Sequence, residues 1–251
     1  MPNSHLTQLL IDARTSNRPL DRESRFQIPA TADEADAVQV AVIRHFGPIA
    51  GYKVFQVEDR DGCWGAIPAP RVMDATSGPV NVGVPMKVEA EIAFRFKEGL
   101  PARGNGKAYS AAEVWAAVGE AFAAFELLDN RYPFLSAPDP LLVRADSMNN
   151  YGLVCGAGVS DWRERVKADV GVKLEVAGRR VVDQRGGHPA GDPAHPLTWL
   201  ANALAGTDHP IKAGDVVTTG AFGGGHAVRP GERAVAEIEG FTAIEFTCGA
   251  A

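Results

Sequence analysis

The chain has 251 residues, 45% of them hydrophobic and 22% charged, and a formal net charge of -6. That length buries a sizeable core and the balance argues against disorder. The acidic excess argues against a nucleic-acid groove, which needs clustered Lys and Arg.

Residues 4–14 place Leu6, Leu9, Leu10 and Ala13 at helical spacing, with Ser4 as the expected N-cap and Leu6 and Leu10 expected to exceed one packing stripe. After a polar loop, Thr31-Ala32-Asp33-Glu34 is a capping box, and Ala35, Val38, Val42, Ile43 and Phe46 form one apolar stripe that Gly47-Pro48 ends. Residues 1–50 therefore read as a small helical part, and 51–251 as a β-rich domain. Gly51 to Val57 predicts a strand carrying Lys53. The segment Asp59 to Pro70 reads as loop, and Pro79 to Pro85 as a lead into the next strand. Ser110-Ala111-Ala112-Glu113 is a second capping box, expected to open a helix through Val114, Trp115, Val118 and Phe122. Further on, 152–159, 170–176, 180–182, 215–219, 234–238 and 243–247 read as strands, and Asp192 as the cap of a helix over 197–204.

Val88 to Phe96 is the segment in which chemistry shows. Ile92, Phe94 and Phe96 recur every second residue, so Glu89 and Glu91 share one face of a strand. Such a pair also suits a solvated strand edge. Here, however, Glu91 runs directly into core-quality residues, and Glu126 lies in the equally apolar Ala124 to Asp129. Carboxylates on apolar walls repel unless a cation lies between them. Three of them suit a hard divalent ion, magnesium or manganese, better than zinc.

Other motifs are missing. Leu100 to Lys107 is glycine-rich but lacks the spacing of a phosphate loop, and Gly220 to Gly225 lacks G-x-G-x-x-G, so it reads as a sheet-edge turn or a backbone approach to a ligand. There is no G-x-S-x-G, and the six histidines never fall at metal-ligand spacing, although His226 beside the glycines could line a pocket. No apolar run approaches the roughly 20 residues of a membrane span. No basic segment followed by an apolar core marks a secretion signal at residues 1–14. Cys63, Cys155 and Cys248 are far apart without a CxxC, the pattern of reduced thiols in a cytoplasm.

Gly51-Tyr52-Lys53-Val54, Glu89-Ala90-Glu91-Ile92-Ala93-Phe94 and Phe125-Glu126-Leu127-Leu128-Asp129-Asn130-Arg131, in that order, resemble the fumarylacetoacetate hydrolase superfamily. The resemblance is to its branch of 2-oxopent-4-enoate hydratases and 4-oxalocrotonate decarboxylases. Asn150 to Gly156, Gly191-Asp192-Pro193 with Trp199 to Asn202, and Val217-Thr218-Thr219-Gly220 extend it over nearly the whole chain. It implies an α+β fold, a mixed rolled β-sheet core with the small N-terminal helical part, in a cytoplasmic homo-oligomer. It implies Glu89, Glu91 and Glu126 as ligands of Mg2+ or Mn2+, Lys53 as the catalytic residue, Thr219 and Gly220 near the substrate, and Asp129 behind the ligands. The implied activity is that of a lyase, a hydratase or decarboxylase, acting on a 2-oxo or 2-hydroxydienoic acid from aromatic catabolism. An acylpyruvate carbon–carbon hydrolase or oxaloacetate-type decarboxylase is the alternative enzyme class; a non-catalytic metal-binding relative is the third. Cys63 stands before Trp64-Gly65 where relatives often carry an aspartate.

Overall fold

A computed structural model describes residues 3–57, 61–75, 86–104 and 106–249, and the backbone alone of 80–81. The expected lead from Pro79 to Pro85 falls largely outside the described residues. Two helices come first, α1 (Ser4–Ser16) and α2 (Ala32–Phe46). Ser4 is inside α1 and Asn3 takes the cap position. Thr31 accepts the Glu34 N–H as expected, but the Glu34 carboxylate reaches back to Ala30. The strands β1 (Ile49–Phe55), β2 (Cys63–Pro68), β3 (Val72–Asp74), β4 (Val80–Asn81) and β5 (Met86–Phe96) follow. Next come α3 (Ala111–Ala117), β6 (Val118–Asp129), α4 (Pro140–Ala145), β7 (Asn150–Cys155) and α5 (Trp162–Arg165). Then β8 (Gly171–Val176), β9 (Arg179–Arg185), α6 (His195–Ala205), β10 (Val216–Val228), β11 (Arg233–Ile238) and β12 (Ile244–Gly249) close the chain. Among the described residues no helix is long and apolar enough to cross a membrane.

Two mixed sheets carry the fold, ordered β2-β1-β10-β5-β6-β7-β3 and β4-β12-β11-β8-β9. In the larger sheet β1 runs parallel to β10 and β3 to β7, and the other pairs are antiparallel. One face of it presents Tyr52, Val54, Val88, Ile92, Phe94, Phe125 and Phe222 to a core shared with the smaller sheet and α6. Each such side chain contributes roughly 1.5–3 kcal/mol when fully buried. Ile92, Phe94 and Phe96 together fix β5 and offset the cost of burying Glu91 beside them.

Three expectations are corrected by this packing. Cys63 to Pro68 is the edge strand β2, not loop, and its backbone is met by the buried Gln39, which donates to Trp64 O and accepts from Ala66 N. The helix opened by Ser110 stops at Ala117, so Val118 and Phe122 belong to β6. Pairing of β6 with β5, from Phe96↔Val118 across one register shift and on to Met86↔Asp129, overrides the helical propensity of this alanine-rich stretch. Leu6 and Leu10 do not face outward; they are fully buried in a second core with Val38, Val42, Tyr132 and Leu142. The hairpin turn at Ala177-Gly178 has positive φ at both residues, the primed geometry that two-residue hairpins favour.

Candidate metal centre

Strand register brings the site together. Lys53 on β1 lies opposite Thr218 on β10, which lies opposite Ala93 on β5. Side chains alternate along β5, so Ala93, Glu91 and Glu89 share that face. Glu89 is opposite Glu126 on β6. Four adjacent strands thus set a lysine, a threonine and three glutamates on one surface. They line a cavity of about 340 Å³ with Val54, Phe55, Leu128, Met148, Pro189, Gly220, Ala221 and Gly224.

One carboxylate oxygen from each of Glu89, Glu91 and Glu126 lies within 4.8 Å of the others. The bonds to Glu91 converge on Oε2, which accepts from the Thr218 hydroxyl and from Gly220 N–H at 2.9 Å. Those to Glu126 converge on Oε1, which takes Lys53 Nζ at 2.6 Å and Asn150 Nδ2 at 2.8 Å. Each buried glutamate is thereby anchored through one oxygen, the arrangement of a monodentate ligand. Opposite oxygens in a hard cation's shell lie roughly 4.2 Å apart at bonds of about 2.1 Å and about 5 Å apart at bonds of about 2.5 Å, so the 4.8 Å bound matches the reach of one such shell.

The electrostatics agree. At an effective dielectric of about 20, two unit charges separated by 4.8 Å repel by about 3.5 kcal/mol. Burial, with the Glu126 charge, pushes the Glu89 carboxyl up to about 7. Burial, with Glu126 and Glu89, pushes Glu91 well above the usual carboxylate range. Burial pulls Lys53 down, but Glu126 and Glu89 more than offset it and the ammonium is held above the ordinary lysine value. Three carboxylates against one ammonium leave two negative charges, which a divalent ion neutralises.

Lys53 Nζ also donates to Met148 O at 3.2 Å. That carbonyl belongs to Ser147-Met148-Asn149, three successive non-glycine residues with φ of 51°, 54° and 61°. Left-handed backbone costs roughly 1–2 kcal/mol per residue, and such strain collects where surrounding structure over-determines it. Gly65 makes room: a Cβ there would lie 2.5 Å from Ser147 O and 3.1 Å from Lys53 Cγ.

Of the sequence candidates, Lys53, Glu89, Glu91, Glu126 and Gly220 meet at this cavity. Thr219 does not. It is buried with its hydroxyl unpartnered, and Thr218 turns toward Glu91; strand alternation separates the two. Asp129 pairs with Arg131 at 2.7 Å at the end of β6, and burial raises its pKa. Arg131 in turn bonds Asp146 at 2.8 Å, so Asp129 reaches the site only through other side chains. His226 Nε2 donates to its own strand at Gly223 O rather than lining the cavity. Thr218, Met148 and Asn150 join the site beyond the residues expected of it, although Thr218 lies in the Val217–Gly220 motif and Asn150 opens the Asn150–Gly156 one.

A buried carboxylate triad with a lysine, on a rolled mixed sheet, defines the class: an α+β protein with a candidate metal site. The family model for the fumarylacetoacetate hydrolase C-terminal domain matches residues 73–248, and the chain belongs to that family. The chain is 28% identical over 158 residues to a 4-oxalocrotonate decarboxylase of Pseudomonas sp. (strain CF600), covering 63% of this chain and 58% of that protein. It is 29% identical over 171 residues to a 2-keto-4-pentenoate hydratase of Paraburkholderia phymatum, covering 68% and 63%. These matches span less than two thirds of the relatives' own length. Among solved structures, 4-oxalocrotonate decarboxylase from Pseudomonas putida G7, complexed with magnesium and adipate, superposes with a TM-score of 0.80 at 22% identity over 98% of this chain and 96% of that one. That likeness establishes the fold.

Proposed function

We propose that this protein is a metal-dependent lyase, a hydratase or decarboxylase, acting on a 2-hydroxydienoate or related 2-oxo acid of aromatic catabolism. The observation that carries the reading is the convergence of Glu89, Glu91 and Glu126 within 4.8 Å, in a cavity shared with Lys53. In this reading the three glutamates hold Mg2+ or Mn2+, and the names of the relatives support the substrate class. A cation held there supplies Lewis-acid stabilisation of the negative charge that develops on a 2-oxo acid.

The chain's own residues supply the rest. The ammonium of Lys53 has three donors; among the described residues Glu126 and Met148 O take two, and the third is offered to a substrate carboxylate or as a proton source. Thr218 and Gly220 N–H hold Glu91 in place, and Asn150 holds Glu126. Phe55, Leu128, Met148 and Pro189 give the cavity apolar walls that suit a hydrocarbon tail and limit water. Gly220 keeps a substrate-facing role and Asp129 one behind the ligands. Hydrolysis of an acylpyruvate by a histidine base is less well supported, since no histidine lines the cavity among the described residues.

The test is the ultraviolet absorbance of 2-hydroxypenta-2,4-dienoate and of 4-oxalocrotonate, each with and without magnesium. Metal-dependent loss of absorbance with at least one of them is expected. Turnover of neither, or turnover that a chelator leaves unchanged, overturns the reading. Cytoplasmic residence and assembly with further copies of the chain complete it. A monomer mass by light scattering at micromolar concentration overturns the latter.

A further inference from the structure

The left-handed turn Ser147–Asn149 is gripped from both sides. On the cavity side, Met148 O takes Lys53 Nζ, and Asn150, the next residue, donates to Glu126. On the far side lies Asp146, fully buried. Its Oδ2 takes Arg131 Nη1 at 2.8 Å and its Oδ1 takes Arg14 Nη2 at 2.9 Å. Arg14 Nη2 also donates to the carbonyl of Asp146 at 3.2 Å, and that carbonyl accepts Asn149 N–H at 3.1 Å. Arg131 Nη2 lies 2.7 Å from Asp129 and 3.5 Å from Asn150 O. The two arginines therefore bracket both ends of the turn.

Arg14 is the surprising member. It comes from the last turn of α1, in a part of the sequence with no chemical motif, and it is buried beside a second arginine. Asp129, Arg131 and Asp146 alone carry one excess negative charge; Arg14 cancels it. Its guanidinium holds both the carboxylate and the carbonyl of the residue that starts the turn.

We propose that Arg14 is a positioning residue of the site. Through Asp146 it holds the left-handed turn, and the turn holds Lys53 and Glu126 in register with Glu89 and Glu91. The first helix is then part of the apparatus that places the lysine. This rests on the reading of the cavity as the reacting site.

The test uses Arg14→Ala and Arg14→Lys in the full chain. Two readouts are followed, dienoate turnover and the 13C methyl resonance of Met148, the residue whose carbonyl meets Lys53 at the cavity. Arg14→Ala should lower kcat on the order of 100-fold, the effect of a misplacement of about 1 Å at a site, with KM little changed. Its Met148 resonance should move, and millimolar guanidinium should restore both, while ammonium should not. Arg14→Lys keeps the charge and should fall between; it serves if the alanine variant does not fold. Wild-type kcat in a folded variant overturns the proposal. So does a loss of kcat with an unmoved Met148 resonance, or one that guanidinium leaves uncorrected. If the wild-type protein turns over neither the dienoate nor 4-oxalocrotonate, the functional reading fails, and the Met148 resonance alone decides whether Arg14 holds the turn.

Discussion

Replacing Glu89 with glutamine should stabilise the metal-free protein, and only above the acid range. The folded Glu89 carboxyl is raised from an ordinary 4.5 to about 7, by burial first and by Glu126 second. A raised carboxyl means that the folded chain binds the proton more tightly than the unfolded one. Stability is therefore lost as pH rises from the unfolded pKa toward the folded one. At pH 8 the interval between the two values corresponds to roughly 3 kcal/mol against the native state; at pH 5 it has shrunk to about 1 kcal/mol or less. Glutamine keeps the shape and removes the charge. In a chelator, Glu89→Gln should thus gain up to roughly 3 kcal/mol at pH 8, about 6–12 °C in Tm for a chain of this size, and little at pH 5. Thermal or urea unfolding at both pH values measures it at fixed protein concentration. Saturating magnesium should reverse the order, because only the wild-type triad gains the full binding term. A variant no more stable than wild type at pH 8 in chelator would refute the electrostatic account of the triad.

Lys53→Met keeps the packing of the stem and removes the cation; turnover should fall at least ~100-fold, the scale of positioned acid–base groups, while metal binding survives. Wild-type rates on every accepted acid would return Lys53 to a structural role. Gly65→Ala would press a Cβ to 2.5 Å from Ser147 O. It should shift the Ser147–Asn149 turn and cost turnover on the order of 10–100-fold, with circular dichroism showing a retained fold; unchanged kinetics would mean that the turn does not set the lysine.

What the sequence made legible follows from local pattern. Alternation along Val88 to Phe96 placed Glu89 and Glu91 on one face, and the Ser110–Glu113 capping box is present in full. What it hid depends on pairing at a distance. Gly65 weakens β2 as a strand signal, yet its bare backbone is required by a carbonyl contributed from Ser147. Whether Thr218 or Thr219 faces the glutamates is decided by the register of β10 between β1 and β5, to which both threonines are locally equivalent. Arg14, Arg131 and Asp146 look like ordinary surface charges until three segments distant in sequence bury them together.

The central claim is that Glu89, Glu91 and Glu126 form one divalent-cation site. Titration of Mn2+ into the chelator-stripped protein, followed by the loss of the free-ion electron paramagnetic resonance signal, tests it most directly. The account predicts one ion bound per chain in the wild type, displaced by magnesium, and loss of that binding in Glu91→Gln with the fold intact. Undiminished Mn2+ binding in Glu91→Gln, or none in the wild type, would contradict it.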